Sequence, residues 1–370
     1  MARVHCEADE RRLESLLREH ERLARERPGS YSLRSLFSDE ALDIEAYCRD
    51  FRPNPHAAAS EADVERFARR HGVWVEKGGD HYNSMTAYLH PTPDEQRLTI
   101  IGKSYAVMFF MNDTIGREKL GHMSAAQKQE VRGVVGRIDK LLETGTLPPG
   151  AGRLEEAARE SLEEIRQSSP PAWFGRCMAV FKEHIAQSFH DKNARAQAKV
   201  PTVDEYIESR LHVAGMYVTI EFMELGDDQF IPWAEVAELG LTAQIRRLQW
   251  LCAAIGALMN DVFSFEKEFV AEGSDFNLVP VIAMNAAESG LHHALTEAAR
   301  MVRAYVVEFR DLAAVLEARR KQLATDHPAL ASALAAHIRS LTGSVHATWA
   351  WQSVTDRYRS PVTIFEELRA

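Results

Sequence analysis

The sequence predicts an all-α protein, a single helical bundle around a central apolar cavity. Apolar residues recur at helical spacing along nearly the whole 370-residue chain. No segment shows a convincing strand alternation, and no internal repeat of about 20–50 residues is present. We therefore expect one α-helical domain over residues 51–370. Residues 1–50 are expected to form an N-terminal helical extension that is partly disordered.

Composition and charge exclude several classes of function. The net charge of −10 argues against a nucleic-acid partner. The N-terminus lacks the apolar core of a secretory signal, and no run of about 18 apolar residues exists, so we expect no membrane insertion and a cytoplasmic location. The four cysteines are scattered and have no CxxC spacing, which favours reduced thiols over a disulfide framework or a zinc site.

The first half of the chain contains clear helix signals and connections. RRLESLLREHERLARER (11–27) has helical periodicity within the extension, and the Pro-rich FRPNPH (51–56) connects it to the domain. SEADVERFARRHGVWV (60–75) opens with a Ser cap and an early Glu. A further helix is predicted to run through RLTIIGKSYAVMFFMND (97–113).

The second half follows the same pattern. TGTLPPGAG (144–152) is the clearest loop, and helices are predicted after SSPPAW and in KVPTVDEYIESR. One long helix is predicted over 234–269, and two more over about 289–324 and 328–353.

The most unusual segment is NDVFSFEKE (260–268), which follows the apolar run LCAAIGALM. Asn260, Ser264 and Glu268 are spaced i, i+4, i+8, which on an α-helix drifts by only roughly 80° and leaves all three on one face. Their oxygen atoms suit Mg²⁺, and Lys267 beside them could meet an anion. The spacing alone leaves a second interpretation open, in which the helix leaves the core with Asn and Ser half-buried and Glu268 in solvent.

This segment resembles the second metal motif of class I terpene synthases. EGSDFNLVPVI (272–282) resembles the segment that follows the motif in bacterial members, and Arg357-Tyr358 resembles the terminal Arg-Tyr pair of the family, with Trp351 at the expected spacing. The similarity is patchy and runs from about Phe51 to Tyr358. It implies the class I terpenoid synthase-like bundle and a terpene cyclase activity.

The first metal motif of the family, which is aspartate-rich, aligns with FFMNDTIGREKLG. Asn112-Asp113 stands in place of Asp-Asp, and Asp113 is implied as a metal ligand. Glu118 comes one residue late, roughly 140° from Asp113 on an ideal helix. Gly116 weakens the helix there and would let Glu118 reach the metal. Asp113 could alternatively form a surface ion pair with Arg117.

A third element of the family senses diphosphate through an Arg followed by a small residue at a helix break. EYIESRLHVAGMYVTIEFMELG resembles that helix, with Arg210 as the sensor and Gly215 as the small effector residue. Only Arg210 remains of the usual Arg pair. The alternative for Arg210 is a surface charge paired with Asp204 or Glu208.

Together these elements imply ionisation of an isoprenyl diphosphate and cyclisation of the resulting carbocation to a terpene hydrocarbon or alcohol. A carbocation requires an apolar, water-free pocket with aromatic faces. Tyr105, Phe222 and Trp349 are candidates from the sequence alone. The implied site consists of the catalytic Asp113, Arg210, Gly215, Arg357 and Tyr358, the substrate-binding Lys267, Phe109, Phe110 and Trp351, and the metal ligands Asp113, Glu118, Asn260, Ser264 and Glu268.

The resemblance implies Mg²⁺ as the cofactor, as three ions that bind together with the substrate diphosphate. The substrate is a C15 farnesyl or C20 geranylgeranyl diphosphate, and a homodimer is left open. Two alternatives are kept. A chain-elongating prenyltransferase requires two Asp-rich motifs, which this chain lacks. A non-catalytic protein that retains the fold is supported only by the degenerate FFMNDTIGRE segment.

Overall fold

The computed structural model describes residues 2–76, 79–286 and 290–370, without the side chains of residues 79–81, 117 and 118. The described chain is predominantly helical and has almost no strand, which confirms the predicted all-α class. The helices of the first half are α1 (Glu7–Glu26), α2 (Leu33–Leu36), α3 (Ile44–Cys48), α4 (Ala57–His71), α5 (Gly79–Leu89), α6 (Glu95–Ile115), α7 (Arg117–Leu120), α8 (Ala125–Thr144) and α9 (Arg153–Gln167).

The helices of the second half are α10 (Pro171–Ser188), α11 (Ala194–Gln197), α12 (Val203–Val213), α13 (Met216–Asp227), α14 (Trp233–Glu238), α15 (Thr242–Phe265), α16 (Leu278–Asn285), α17 (Leu291–Leu323) and α18 (Pro328–Val354). A π-helical turn, Glu266–Ala271, continues α15. The C-terminal segment contains two 3₁₀ turns, Asp356–Tyr358 and Glu366–Leu368. The single helix predicted over 234–269 is therefore wrong in detail, because Gly240 has a left-handed φ of 68° and separates α14 from α15.

The structure contains two short strands that the sequence did not predict. β1 (Arg3–Val4) pairs antiparallel with β2 (Lys199–Val200), with Arg3 opposite Val200. A strand of two residues is too short to show an alternation of apolar and polar residues.

The core is built around α15, which packs against α13, α17 and α18. Among the described residues, one helical stretch, Thr242–Ala271, is long and apolar enough to cross a membrane, but 89% of its most apolar window is buried inside the protein. This burial is that of a core helix.

The N-terminal residues pack onto the same core. α1 packs against α16 and α17, and its Leu13, Leu16 and Leu23 are buried in the main hydrophobic cluster. α2 packs against α17, and α3 packs against α18. The segment before residue 51 is thus in contact with α16, α17 and α18, of which α17 and α18 pack directly against α15.

Candidate active site

One cavity brings together most of the residues singled out in the sequence. It is lined by side chains from α5, α6, α10, α12, α13, α15 and α18, together with the turns after α15 and α18. The lining includes the following predicted residues: Phe109, Arg210, Gly215, Asn260, Ser264, Lys267, Glu268, Trp351, Arg357 and Tyr358.

The second metal motif lies partly on α15 and partly on the π-helical turn. Asn260 and Ser264 belong to α15, whereas Glu268 lies in the turn, so the continuous α-helix assumed for the i, i+4, i+8 pattern is wrong at its third position. A π-turn accommodates an extra residue and is frequently found at functional sites. Glu268 still lines the same cavity as Asn260 and Ser264.

Burial of this motif excludes the interpretation with Glu268 in solvent. Glu268 is only 6% exposed, and its Oε2 accepts a hydrogen bond of 3.2 Å from Asn277 Nδ2. The Ser264 hydroxyl is fully buried and has no hydrogen-bond partner among the described residues. An unpaired buried hydroxyl costs roughly 1–3 kcal/mol. A cation that accepts its oxygen as a ligand would remove that cost, so the donor set fits a hard metal ion.

Arg210 is not the surface charge of the alternative interpretation. It is 3% exposed, and its Nε donates to Asp261 Oδ1 at 2.7 Å while its Nη2 donates to Asn260 Oδ1 at 3.0 Å. The alternative pairing with Asp204 or Glu208 is therefore excluded, because Arg210 points inward and bonds Asp261 and Asn260 instead. Burial acts to lower the pKa of the guanidinium, but Asp261, Tyr206 and Glu268 together more than offset this, and the net shift is upward.

Asp261 is a residue of the site to which the sequence assigned no role. It is fully buried and also accepts hydrogen bonds from the Tyr206 hydroxyl and from Leu278 N. Burial raises the pKa of its carboxyl group, and Arg210 opposes that shift. The available signal was its apolar context: a carboxylate at the end of a buried helix requires a cationic partner.

Asp113 lies near the C-terminal end of α6, next in sequence to the lining residue Asn112, and is not itself among the residues that line the cavity. Its Oδ2 accepts a hydrogen bond from the Tyr82 hydroxyl, and its Oδ1 lies 3.9 Å from Arg357 Nη2. Tyr82 was missed in the sequence, where no spacing rule connects it to the motif.

The helix ends after Asp113 as the sequence indicated. α6 stops at Ile115, and a Cβ on Gly116 would lie 2.2 Å from the Asn112 carbonyl oxygen, so only glycine fits there. Glu118, predicted as a metal ligand, and Arg117 have side chains outside the described residues.

The C-terminal Arg-Tyr pair faces the second motif and the first motif together. Tyr358 Oη accepts a hydrogen bond of 2.8 Å from Asn260 Nδ2. Arg357 Nη1 donates to Tyr82 Oη at 2.6 Å, and Tyr82 in turn donates to Asp113. Burial acts to lower the pKa of Arg357, but Tyr358, Tyr82 and Asp113 raise it in net. This arginine therefore stays charged at the cavity.

Gly215 separates α12 from α13 and lines the cavity, as predicted for a small residue at a helix break. Its φ of +71° lies in the left-handed region, which glycine adopts without steric cost. A Cβ there would also contact Met108 and His184 at 3.4 and 3.5 Å.

Some of the aromatic candidates line the cavity, and others are part of the hydrophobic core. Phe109, Trp351 and Tyr105 line the cavity, and Phe109 stacks on Tyr82 with ring centroids 4.1 Å apart. Phe110 lies outside the lining and packs, partly buried, against the neighbouring hydrophobic cluster, so the structure does not bring it to the cavity with Phe109. Consecutive residues of a helix point about 100° apart, so Phe109 and Phe110 cannot share a face.

Phe222 and Trp349 belong to the core and do not line the cavity. Phe222 is in contact with Tyr105 and Phe181, and Trp349 with Phe263. Phe222 therefore packs behind the lining residue Tyr105, whereas the Trp349 contact lies within the core.

Lys267 lines the cavity, and its Nζ lies 3.3 Å from Glu272 Oε1. Its charge is thus partly balanced by a carboxylate at the edge of the site.

Comparison with known proteins places this geometry in a family. A family model described as terpene synthase family 2, C-terminal metal binding, matches residues 103–308. The 10-epi-cubebol synthase of Sorangium cellulosum is 25% identical over 315 residues, which cover 84% of this chain and 95% of that protein. The (+)-T-muurolol synthase ((2E,6E)-farnesyl diphosphate cyclizing) of Roseiflexus castenholzii is 25% identical over 209 residues, covering 54% of this chain and 59% of that protein.

Solved structures agree on the fold. Germacradien-4-ol synthase from Streptomyces citricolor superimposes with a TM-score of 0.68 at 19% identity, covering 82% of this chain and 96% of that one. An α-eudesmol synthase has the same TM-score at 17% identity, with the same coverage of both chains.

Proposed function

Because this chain belongs to terpene synthase family 2 and is a terpene cyclase that acts on a prenyl diphosphate with a divalent metal cofactor, we propose that the metal is Mg²⁺ and the substrate farnesyl diphosphate. The observation that supports this most strongly is the convergence of Asn260, Ser264 and Glu268 with Arg210 and Arg357 on one cavity. The C15 chain length is supported by the relative named as cyclising farnesyl diphosphate.

The polar end of the cavity is assigned to the diphosphate. Arg210, Lys267 and Arg357 line that end and supply positive charge, and an Arg fork can donate two parallel hydrogen bonds to a phosphate. Asn260, Ser264, Glu268 and Asp113 are proposed to hold Mg²⁺, as three ions that bind with the diphosphate. When bound, Mg²⁺ neutralises the negative charge that develops on the leaving group.

The apolar end is assigned to the isoprenyl chain. Phe109 and Trp351 present ring faces that can stabilise a carbocation, and Gly215 leaves room for the chain beside the helix break. The buried walls exclude water, which would otherwise capture the cation early. We propose that the product is a cyclic terpene hydrocarbon or alcohol, formed at a cytoplasmic location.

The chain-elongating alternative is not favoured. An Asn-Ser-Glu face occupies the position where that class needs a second Asp-rich motif. The family match also speaks against a protein that retains only the fold.

The test is a product assay. Purified protein with Mg²⁺ is incubated separately with geranyl, farnesyl and geranylgeranyl diphosphate, and products are identified by mass spectrometry. We expect a cyclic C15 product from farnesyl diphosphate that disappears with chelator. Turnover of geranylgeranyl diphosphate alone would overturn the chain length, and full activity after exhaustive chelation would overturn the metal assignment.

A further inference from the structure

We infer that Glu266 is a positioning residue, which ties both ends of the chain to the π-helical turn that carries Lys267 and Glu268. The inference rests on the proposed function, because it concerns the geometry of the proposed metal site. Glu266 does not line the cavity itself. Its role is argued from what its carboxylate contacts.

The Glu266 carboxylate accepts hydrogen bonds from two distant parts of the chain. Oε1 lies 2.6 Å from His20 Nε2 on α1 and accepts from Ile364 N at 2.9 Å, while Oε2 accepts from the Thr363 hydroxyl. An ionised carboxylate is an acceptor only, so His20 donates through Nε2. The Glu266 side chain is 14% exposed, which makes these contacts largely shielded from water.

The two end segments are also bonded to each other at this place. Gly29 N donates to the Thr363 carbonyl at 2.9 Å, and Tyr31 N donates to the Ile364 carbonyl at 2.9 Å. Glu366 N donates back to the Tyr31 carbonyl at 2.8 Å. We call residues 29–31 with 363–366 the terminal clamp. Glu266 is the point at which this clamp contacts the turn.

The π-helical geometry of the turn Glu266–Ala271 explains why contacts that hold it in place matter. π-helical geometry is rare and exists mostly as single turns within α-helices. Any change in the winding of this turn would rotate Lys267 and Glu268 relative to Asn260 and Ser264, which lie on the α-helical part before it. The angle between Glu268 and the other two oxygen-bearing side chains therefore depends on how the turn is held. By holding Glu266, His20 and the clamp keep the turn in the geometry in which Glu268 can share a metal ion.

The chain offers a matched control in Glu367. Its carboxylate also joins the two ends, because it accepts hydrogen bonds of 2.8 Å from Ser32 Oγ, Leu33 N and Arg34 N. In the described part of the chain, these three hydrogen-bond partners lie at the start of α2 and not on the π-helical turn. Loss of Glu367 therefore weakens the attachment of the N-terminal segment without releasing Glu266.

The experiment compares Glu266→Ala, Glu266→Gln and Glu367→Ala in the full-length protein. Two quantities are measured: the Mg²⁺ concentration for half-maximal turnover of farnesyl diphosphate, and the calorimetric affinity for Mg²⁺ in the presence of inorganic pyrophosphate. Thermal unfolding is recorded for each variant.

Glu266→Ala is expected to raise the Mg²⁺ requirement and weaken Mg²⁺ binding about tenfold, the equivalent of ~1.4 kcal/mol. Turnover at saturating Mg²⁺ is expected to stay within about twofold, because the clamp does not contact substrate. Glu266→Gln, which can still hydrogen-bond both segments, should restore most of the affinity. Glu367→Ala should lower the melting temperature and leave Mg²⁺ binding unchanged.

Equal shifts in Mg²⁺ affinity for Glu266→Ala and Glu367→Ala would overturn the inference, because they would show a general effect of stability. No shift for Glu266→Ala would overturn it as well. If Glu266→Ala fails to fold, two variants of Thr363 are compared instead. Thr363→Val removes the hydrogen bond from the Thr363 hydroxyl to Glu266 and should weaken Mg²⁺ binding. Thr363→Ser keeps that hydrogen bond and should leave Mg²⁺ binding unchanged. Failure of the proposed function would appear differently, as absence of turnover by the unaltered protein.

Discussion

Arg210 and Asp261 form a buried ion pair in the wall of the cavity, with Arg210 Nε 2.7 Å from Asp261 Oδ1. The same guanidinium donates to Asn260, which belongs to the second metal motif. The Arg210 guanidinium therefore joins the Asp261 carboxylate to the Asn260 amide, and the orientation of Asn260 depends on the ion pair through Arg210.

We predict that Asp261→Asn destabilises the protein and abolishes most turnover. The substitution leaves Arg210 buried without a counter-charge, which typically costs about 3–5 kcal/mol. Tyr206→Phe is the control, because it removes one hydrogen bond to the same carboxylate and should cost only about 1 kcal/mol. Denaturant unfolding measures both, and a similar small cost for the two variants would contradict the pairing.

Ser264→Ala should leave stability unchanged or slightly higher while raising the Mg²⁺ requirement. The hydroxyl has no partner among the described residues, so its removal relieves a buried unpaired group. Ser161→Ala is the matched control. The Ser161 hydroxyl on α9 is also buried without a partner in the described part of the chain, but Ser161 does not line the cavity. Only Ser264→Ala should alter the Mg²⁺ titration of turnover, and an unaltered titration would remove Ser264 from the metal site.

Gly215→Ala should reduce both stability and turnover. A left-handed backbone at a residue with a Cβ costs about 1–2 kcal/mol, and the new methyl group would press on Met108 and His184 at the cavity wall. Gly240→Ala carries a similar backbone cost at φ 68° but meets nothing within 4 Å. Thermal unfolding should show comparable losses for the two variants, whereas a product assay should show a changed rate or product profile only for Gly215→Ala. Equal activities would show that the helix break is purely structural.

Stability should depend on pH through Glu224, a buried residue of α13 outside the cavity lining. Burial raises the pKa of its carboxyl group from 4.5 to about 7, and Arg176 opposes the shift only in part. Since the folded-state pKa lies above the unfolded one, the folded state binds more protons between these values. Its stability contribution is therefore present below about pH 4.5 and is lost as pH rises through 7, with a slope of at most ~1.4 kcal/mol per pH unit.

Glu224→Gln should flatten that dependence, because the amide has no proton to lose. The free energy of unfolding is measured by urea titration at about pH 5, 6, 7 and 8, for the unaltered protein and for Glu224→Gln. An identical pH profile for both would mean that Glu224 is ionised throughout and stabilised fully by Arg176.

Periodicity predicted the all-α fold because α15, α17 and α18 are long and strongly patterned. The candidate site residues came instead from motif spacing and from the resemblance to a known family. Periodicity did not predict which polar side chains are buried. Arg210 looks like a surface residue in a charged segment, and only tertiary packing buries it against Asp261. Spacing also assumed one helical geometry, so it could not anticipate the π-helical turn at Glu268. Tyr82 reaches Asp113 from another helix, and no local pattern reports a contact across 31 residues of sequence.

We propose that Asn260, Ser264 and Glu268 hold a metal ion beside the diphosphate. The most direct measurement is a crystal structure of the protein soaked with Mn²⁺ and inorganic pyrophosphate, with anomalous diffraction used to locate the metal. We predict an anomalous peak at roughly 2.0–2.3 Å from the side-chain oxygens of all three residues, with pyrophosphate oxygens completing the coordination. A peak elsewhere, with none among these three side chains, would contradict the account.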